Sequence, residues 1–444
     1  MKLNIKIKQV FLVLIDIMSF YVSLFLVIYL SFYFEKRHAL AIHFDIFSLI
    51  LLLWLIIFYI MNLYEIRDLD DKKKLFQKHV SAVLIGMILA IMFFYFIPYL
   101  KIAPKKNLFL FAFIFLIINI FFRNYYLSLI KNKIQKEKIF IIGDGEIEEK
   151  IKAFIEKNKQ IGFEIKAYTK DENDPFIADI LEERAKDKKI GLVIIPYKSN
   201  ENSLASKIIN KEIGRGLRVK NAIEASEVFF RKIPISEINN SWVSENILNK
   251  SKIYERFIRP FEMIISTVLS ILFLPIFIII GVFIKISSAG PIFFKQIRTG
   301  KNKQEFVLWK FRTMGIDAEK DGPKWATKND LRVTGIGKFL RKTHLDELPQ
   351  LINIFKGDLS FIGPRPERPE FIKILEKEIP YYNTRHTIKP GILGWAQLNY
   401  KYGASVEETL EKVQYDLYYL KNRSIILDLV IFMKTIKRFF ISAD

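Results

Sequence analysis

FEMIISTVLSILFLPIFIIIGVFIK, from Phe261 to Lys285, decides how this chain is laid out. As one helix it is about 36 Å long, enough to cross a bilayer. A straight crossing would put everything after Lys285 on the opposite face from everything before Phe261. Two features favour a helix that dips in and returns. Both flanks are basic, with Arg256 and Arg259 before and Lys285, Lys295 and Arg298 after, and basic flanks stay on the cytoplasmic side. Pro275 sits in the middle, where it removes a backbone donor and kinks a helix. A break at Leu274-Pro275 satisfies both facts. A kinked spanning helix is the alternative.

Working towards the N-terminus, four apolar runs occupy Val10 to Phe34, Phe44 to Leu63, Val80 to Leu100 and Leu108 to Phe122. Each approaches the ~20 residues a membrane helix needs. Basic residues alternate in density along the intervening segments. The N-terminal flank has Lys2, Lys6 and Lys8, the second loop Arg67, Lys72, Lys73, Lys74 and Lys78, and the exit from the fourth run Arg123, Lys131, Lys133, Lys136 and Lys138. The other loops are poorer, with Lys36 and Arg37, then Lys101, Lys105 and Lys106. The bias places the N-terminus and everything after the fourth run in the cytoplasm. Asp16, inside the first run, is expected at the headgroup boundary with no chemical role.

The 444 residues include no cysteine, which excludes disulfides, thiolate metal sites and cysteine nucleophiles, and the five histidines are too scattered for a zinc site. Hydrophobic residues make up 51% and mean hydropathy is +0.18, a balance that fits membrane segments joined to soluble parts. The net charge of +21 lies largely at membrane boundaries, so it does not point to nucleic acid.

Between the membrane runs and Phe261, KIFIIGDGEIEEKIKAFIEK reads as strand, glycine turn and helix, and GFEIKAYT and KKIGLVIIPY supply further strands. Strands alternating with helices predict a small parallel α/β domain of Rossmann-like type. Gly143 and Gly145 match a dinucleotide fingerprint, but Glu148 takes the third glycine position and would repel a pyrophosphate.

After Lys285 cations recur beside glycine and proline turns: Lys310 and Arg312 in KFRTM, Arg332 in NDLRVTGIG, Arg341 in FLRKTHLDELPQL, and Arg365 in GPRPE. Fixed backbone geometry of that kind suits phosphate binding. Among them lie two adjacent acids, Asp346 and Glu347. Helical spacing of Leu345, Leu348, Leu351 and Ile352 predicts a helix with these four side chains against a core. Neighbours on a helix diverge by about 100°, so the acids cannot easily share a role. One could address substrate and the other a divalent cation, or the pair could be surface charge.

KFRTM, DLRVTGIGKFLRKTHLDELPQLINIFKGDLSFIGPRPE and RHTIKPGILGWAQLNYKYG resemble the bacterial sugar transferase family, the polyprenyl-phosphate glycosyl-1-phosphate transferases. The resemblance is dense from about Tyr254 onwards. The N-terminal layout is similar to the long members of the family, whose extra region is regarded as non-catalytic. The resemblance implies an α-rich membrane protein in three parts: transmembrane helices over 1–134, a Rossmann-like module over 135–250, and a monotopic catalytic domain over 251–444 with a re-entrant hairpin at about 261–285. It also implies transfer of sugar-1-phosphate from a UDP-sugar to undecaprenyl phosphate with release of UMP, which starts exopolysaccharide, capsule or O-antigen assembly at the cytoplasmic face of the inner membrane.

Residue by residue, the resemblance implies that Asp346 attacks phosphorus and that Glu347 helps bind Mg2+. It implies that Arg341 and Arg365 contact phosphates, and it puts Lys310, Arg312, Arg332 and Glu367 in substrate-binding motifs. Pro275 becomes the membrane break. The chain departs from the pattern at Leu274, where the family has serine, at Leu393, where it has threonine, and at Glu262, where it has aspartate. A membrane-bound nucleotide-sugar dehydratase or epimerase would need an intact glycine fingerprint, and a non-enzymatic scaffold would release no UMP. The sequence does not name the sugar, and it leaves self-association into a homo-oligomer open.

Overall fold

The computed structural model describes residues 2–31, 36–61, 63–64, 72–96, 105–133, 137–158, 162–180, 190–214, 217–248, 252–318, 330–400 and 405–441. Arg67, Lys101 and Lys136 of the charge pattern, and residues 401–403 of the last family motif, lie outside them. The chain divides into two compact units, Met1–Lys220 and Asn221–Asp444.

The first unit opens with helices α1 (Lys2–Ser31), α2 (Lys36–Ile60), α3 (Lys72–Phe96) and α4 (Lys105–Lys133). Each holds a stretch long and apolar enough to cross a membrane: Gln9–Ser31, His43–Ile60, Leu75–Met92 and Asn107–Leu129. Large apolar side chains cover their outer faces, as lipid-facing helices require. Inside, Phe20 meets Phe111 edge-on at 4.7 Å between ring centroids, and Trp54 meets Phe115 at 5.0 Å.

Asp16, expected at the headgroup boundary, is not a solvated charge. It is 1% exposed, enclosed between helices. Its Oδ2 accepts from Arg123 Nη2 at 2.5 Å and Tyr64 Oη at 2.7 Å. Its Oδ1 accepts from Arg123 Nε at 2.7 Å and Asn119 Nδ2 at 2.9 Å. Arg123 Nη1 donates to the Leu63 carbonyl at 2.9 Å, and His79 pairs with Asn119 at 2.6 Å. The reason is satisfaction of charge: a carboxylate among apolar helices needs a partner, and Arg123 supplies it from α4.

After α4 come β1 (Glu137–Ile142), α5 (Glu146–Lys157), β2 (Phe163–Thr169), β3 (Ile190–Ile195) and β4 (Arg218–Asn221). They form a sheet of order β2-β1-β3-β4, with β1 parallel to both β2 and β3. The fully buried Ile139, Phe140, Ile141 and Ile142 show why a continuous apolar run reads as a central strand. Glu148 is 2% exposed and its carboxylate lies over the glycine turn, so close that a Cβ on Gly145 would sit 2.3 Å from Oε2. A negative group at a helix N-terminus is favourable there.

The second unit includes residues 221–248, which the sequence pattern groups with the α/β stretch. Ile233 N donates to the Gln414 carbonyl at 3.0 Å, Trp395 Nε1 to the Arg231 carbonyl at 3.0 Å, and Lys232 pairs with Glu411 at 2.9 Å. Next come α6 (Lys252–Leu272) and α7 (Leu274–Ser287), bent by 59° at the break between them. The break falls at Phe273, one residue before the expected dipeptide. Pro275 lies in the first turn of α7, where its missing N–H has no helical acceptor to lose. Glu262 and Ser266 on α6 are buried, whereas Phe261, Ile264, Val268 and Ile271 are exposed.

An antiparallel ribbon follows, β5 (Phe293–Thr299) with β6 (Glu305–Phe311). Then α8 (Gly335–Thr343) and α9 (Gln350–Lys356) flank the two acids, and a short parallel pair, β7 (Ser360–Ile362) and β8 (Gly391–Leu393), precedes α10 (Val406–Asn422) and α11 (Ile425–Ile441).

Candidate active site

The acids do not lie on one continuous helix. Thr334 caps α8 by accepting from Gly337 N at 3.1 Å, and His344 ends it in a left-handed conformation, φ 55°. A single 3-10 turn, Leu345–Glu347, then carries both carboxylates before α9 begins. Successive side chains in such a turn diverge by about 120°, so the two carboxylates approach their surroundings from different directions. Leu345 and Leu348 pack on Ile280, Ile284, Phe311 and Leu340, and Leu351 is buried. Ile352, expected on that apolar face, is 36% exposed instead, because the backbone restarts as α9 with its own phase. Gly337 allows α8 to approach the strand end closely: a Cβ there would sit 2.0 Å from the Thr313 carbonyl oxygen.

Asn353 relates this turn to the ribbon. It is fully buried, accepts from Trp309 N at 3.1 Å and donates to the Val307 carbonyl at 2.7 Å. β6 is thereby fixed beside α9 and Lys310 meets the acids. Lys310 Nζ is 2.8 Å from Glu347 Oε1 and 3.9 Å from Asp346 Oδ2. Arg365 Nη2 reaches the same Glu347 oxygen at 2.9 Å.

These contacts separate the acids electrostatically. Burial pushes the Asp346 carboxyl above the usual range, with Lys310 pulling it down and Glu347 adding to the rise. Burial pushes Glu347 up as well, but Lys310 and Arg365 outweigh it and hold that carboxyl well below the usual range. Glu347 is therefore a fixed anion clamped by two cations, while Asp346 is a less stabilised anion and so the better nucleophile.

The structure brings Lys310, Asp346, Glu347 and Arg365 together. Arg341 Nε donates to Thr313 Oγ1 at 2.9 Å, and its charge acts on Asp346. The remaining sequence candidates have other partners. Arg312 holds the turn after α7 through the Ser288 carbonyl at 2.9 Å and the Ala289 carbonyl at 2.5 Å. Arg332 forks onto Asp330 at 2.8 and 2.6 Å, which helps bring that carboxyl down to about 2. Glu367 pairs with Arg298 at 3.5 Å. In the sequence Arg298 reads only as a basic flank, and Asn353, Arg385 and Asp416 are not marked as site residues. The signal for Arg298 is strand alternation: its register partner Phe306 is four residues from Lys310 along β6, an even number, so Arg298 and Lys310 share a ribbon face.

Among the described residues, no group of three or more His, Asp or Glu side chains gathers to hold a metal. Magnesium needs fewer: it takes one or two carboxylates and completes its shell with phosphate oxygens and water. Asp346 and Glu347 converge on one cationic position, where Lys310 Nζ sits. The donor set fits a divalent ion on that basis.

The family model described as bacterial sugar transferase matches residues 253–442. The chain is 39% identical over 214 residues to a UDP-N-acetylgalactosamine-undecaprenyl-phosphate N-acetylgalactosaminephosphotransferase of Aeromonas hydrophila, covering 48% of this chain and 50% of that protein. It is 42% identical over 190 residues to a UDP-glucose:undecaprenyl-phosphate glucose-1-phosphate transferase of Klebsiella pneumoniae, covering 42% of this chain and 40% of that one. Both matches thus span about half or less of the relative's length. A shorter relative is covered almost throughout: the exopolysaccharide production protein PSS of Rhizobium leguminosarum bv. phaseoli is 35% identical over 184 residues, which are 40% of this chain and 92% of that protein. With the family model matching the same part of the chain that builds the dyad, its cations and the bent helix pair, the chain belongs to the bacterial sugar transferase family.

Proposed function

We propose that the protein transfers sugar-1-phosphate from a UDP-sugar to undecaprenyl phosphate, with release of UMP, as the first step of a surface polysaccharide. The observation that carries this reading is the division of the dyad: Asp346 is buried and only distantly paired, while two cations clamp Glu347. An Asp346 oxygen attacks the phosphorus that bears the sugar, and the bond from that phosphorus to the UMP oxygen breaks. UMP leaves with the bonding electrons. An oxygen of the lipid phosphate then attacks the same phosphorus, and the bond to Asp346 breaks, regenerating the carboxylate. Lys310, Arg341 and Arg365 balance the phosphate charge during both displacements. Glu347 would hold Mg2+, whose charge would neutralise the diphosphate and ease departure of UMP.

The apolar surface fits a lipid acceptor. The exposed residues of α6 and α7, with Ile425, Ile426, Leu429 and Phe432 of α11, form faces that water does not suit. In this reading α6 and α7 are a re-entrant hairpin: the 59° bend breaks the straight path across, and the basic flanks at both ends favour return to the starting side. The site then lies on the cytoplasmic face of the inner membrane, and α11 lies along the interface. The Rossmann-like module over the parallel sheet takes no part in the chemistry, since the Glu148 carboxylate lies over its glycine turn.

The relatives use different sugars, so the direct test is a UMP-release screen on purified full-length protein with undecaprenyl phosphate, magnesium and a panel that includes UDP-glucose and UDP-N-acetylgalactosamine. Release that requires the lipid phosphate for sustained turnover is expected with at least one donor. No release from any donor contradicts the proposal.

A pH profile tests the electrostatics. Asp346 must be ionised to attack, so kcat/KM falls as pH drops through its raised pKa. Lys310→Gln removes the cation that lowers that pKa, leaving burial and the Glu347 charge to push it up. The acidic limb of the variant is expected to move to higher pH. An unmoved limb would show that another group sets it.

A further inference from the structure

The loop that carries Arg365, Pro364 to Glu367, contains two prolines, which have no N–H to hold it in place. Its carbonyls are held instead, all four in succession and from separate parts of the unit. Gly391 N of β8 donates to the Pro364 carbonyl at 2.9 Å, and Thr299 N of β5 donates to that of Glu367 at 2.9 Å. Between them Arg385 Nη2 donates to the Arg365 carbonyl at 3.0 Å, and Arg298 Nη1 to the Pro366 carbonyl at 3.0 Å. Two side chains therefore fix the peptide units on either side of Pro366, Arg365–Pro366 and Pro366–Glu367.

Both guanidiniums are themselves anchored. Arg385 is 6% exposed, pairs with the buried Asp416 at 2.9 Å and donates to Tyr382 Oη at 3.0 Å. Arg298 donates from Nε and Nη2 to Gln296 Oε1 at 2.9 and 2.6 Å, and it faces Glu367. Neither is in hydrogen-bonding contact with Asp346 or Glu347 among the described interactions. Burial, aided by the nearby Arg365 and Arg368 charges, brings Arg298 down to about 10, so a cation is held here although its surroundings disfavour it. A neutral side chain would sit more easily if filling space were its whole purpose.

We propose that Arg298 and Arg385 are positioning residues that act on the reaction through Arg365, holding the carbonyls of Arg365 and Pro366 so that the Arg365 guanidinium is presented, already ordered, to the diphosphate of the donor. The inference rests on the proposed transfer reaction for its kinetic consequences and on the hydrogen bonds alone for its structural ones. A pre-set guanidinium loses less freedom on binding than a mobile one, so loosening the loop weakens donor binding before it slows chemistry.

The test uses full-length protein carrying Arg298→Gln, Arg385→Gln or Arg365→Ala, and each Gln variant combined with Arg365→Ala. Arg385→Gln leaves Asp416 buried without its partner, so Arg385→Gln with Asp416→Asn serves as the variant that folds if the single one does not. UMP release is measured against donor concentration at saturating undecaprenyl phosphate. Each Gln variant is expected to raise donor KM by about tenfold with a smaller change in kcat. In the Arg365→Ala background the same substitutions should have little further effect, because their target is gone. Losses that multiply across the pairs, or unchanged donor KM in the single variants, overturn the proposal. If the wild-type protein releases no UMP from any donor, the transfer reading fails, and hydrogen–deuterium exchange decides the loop separately. Faster exchange confined to peptides over 361–367 in the Gln variants supports positioning, and unchanged exchange there overturns it.

Discussion

Asp346→Asn protein is expected to show no measurable sugar-1-phosphate transfer, a loss of at least about 10³-fold in kcat. Asparagine keeps the shape of the side chain and its place in the 3-10 turn, so the fold should survive. The Asp346 contact with Lys310 is long, 3.9 Å, and Lys310 retains Glu347 at 2.8 Å. What is lost is the anionic oxygen that, in the proposed mechanism, bonds to phosphorus. Binding of the UDP-sugar should persist, because the cations around Glu347 remain. Equilibrium binding of labelled donor beside the UMP-release assay separates the two. Turnover close to wild type would remove Asp346 from the chemistry, and loss of binding with loss of turnover would make it a structural residue instead.

The second large effect belongs to the membrane helices. Asp16→Ala leaves Arg123 enclosed with no carboxylate, although its bond to the Leu63 carbonyl remains. Removing one partner of a buried pair costs about 3–5 kcal/mol in soluble proteins. The apolar surroundings give no reason for a smaller penalty, since water cannot easily replace the lost partner. Thermal unfolding in detergent should therefore show a strongly destabilised Asp16→Ala protein. Asp16→Leu combined with Arg123→Leu removes both charges and should recover most of the loss. A single variant as stable as wild type would show that the pair carries no weight in the bundle.

That ion pair shows where the sequence stops being legible. Asp16 and Arg123 are 107 positions apart, and each taken alone resembles a boundary charge on an apolar run. Only the packing of α1 against α4 reveals them as partners. The apolar runs themselves were readable, because a long stretch of uniformly apolar residues is seldom anything but a membrane helix. The central strand at Ile139–Ile142 was readable because a short, continuous apolar run bounded by a glycine turn suits a buried parallel strand. The bend between α6 and α7 was signalled by Pro275, but its position at Phe273 depends on proline being preferred in the first turn after a break.

At the site, Asp346, Glu347, Lys310 and Arg365 stand in recognisable motifs, and the structure gathers those four. Arg312 and Arg332 stand in equally recognisable motifs, yet their hydrogen bonds go to the Ser288–Ala289 carbonyls and to Asp330. A motif marks a basic residue without saying whether it holds a substrate or a turn. Asn353 lies in LINIF, an otherwise apolar stretch that reads as packing. Its hydrogen bonds to Trp309 N and the Val307 carbonyl set the distance between the dyad and Lys310. The loop around Arg365 was legible as rigid from its two prolines. The guanidiniums that fix its carbonyls were not, because Arg298 and Arg385 reach it from elements distant in the sequence.

The most direct test of the covalent mechanism is to capture the half-reaction. Purified protein is incubated with a turnover-competent UDP-sugar in the absence of undecaprenyl phosphate, quenched in acid and weighed as intact protein, and the adduct is then mapped to a peptide. The mechanism predicts a mass increase of one sugar phosphate on the peptide containing Asp346, formed together with one equivalent of UMP and absent from Asp346→Asn. An enzyme that turns over with both substrates present, yet forms no adduct and releases no UMP from the donor alone, would contradict it and require direct transfer to the lipid.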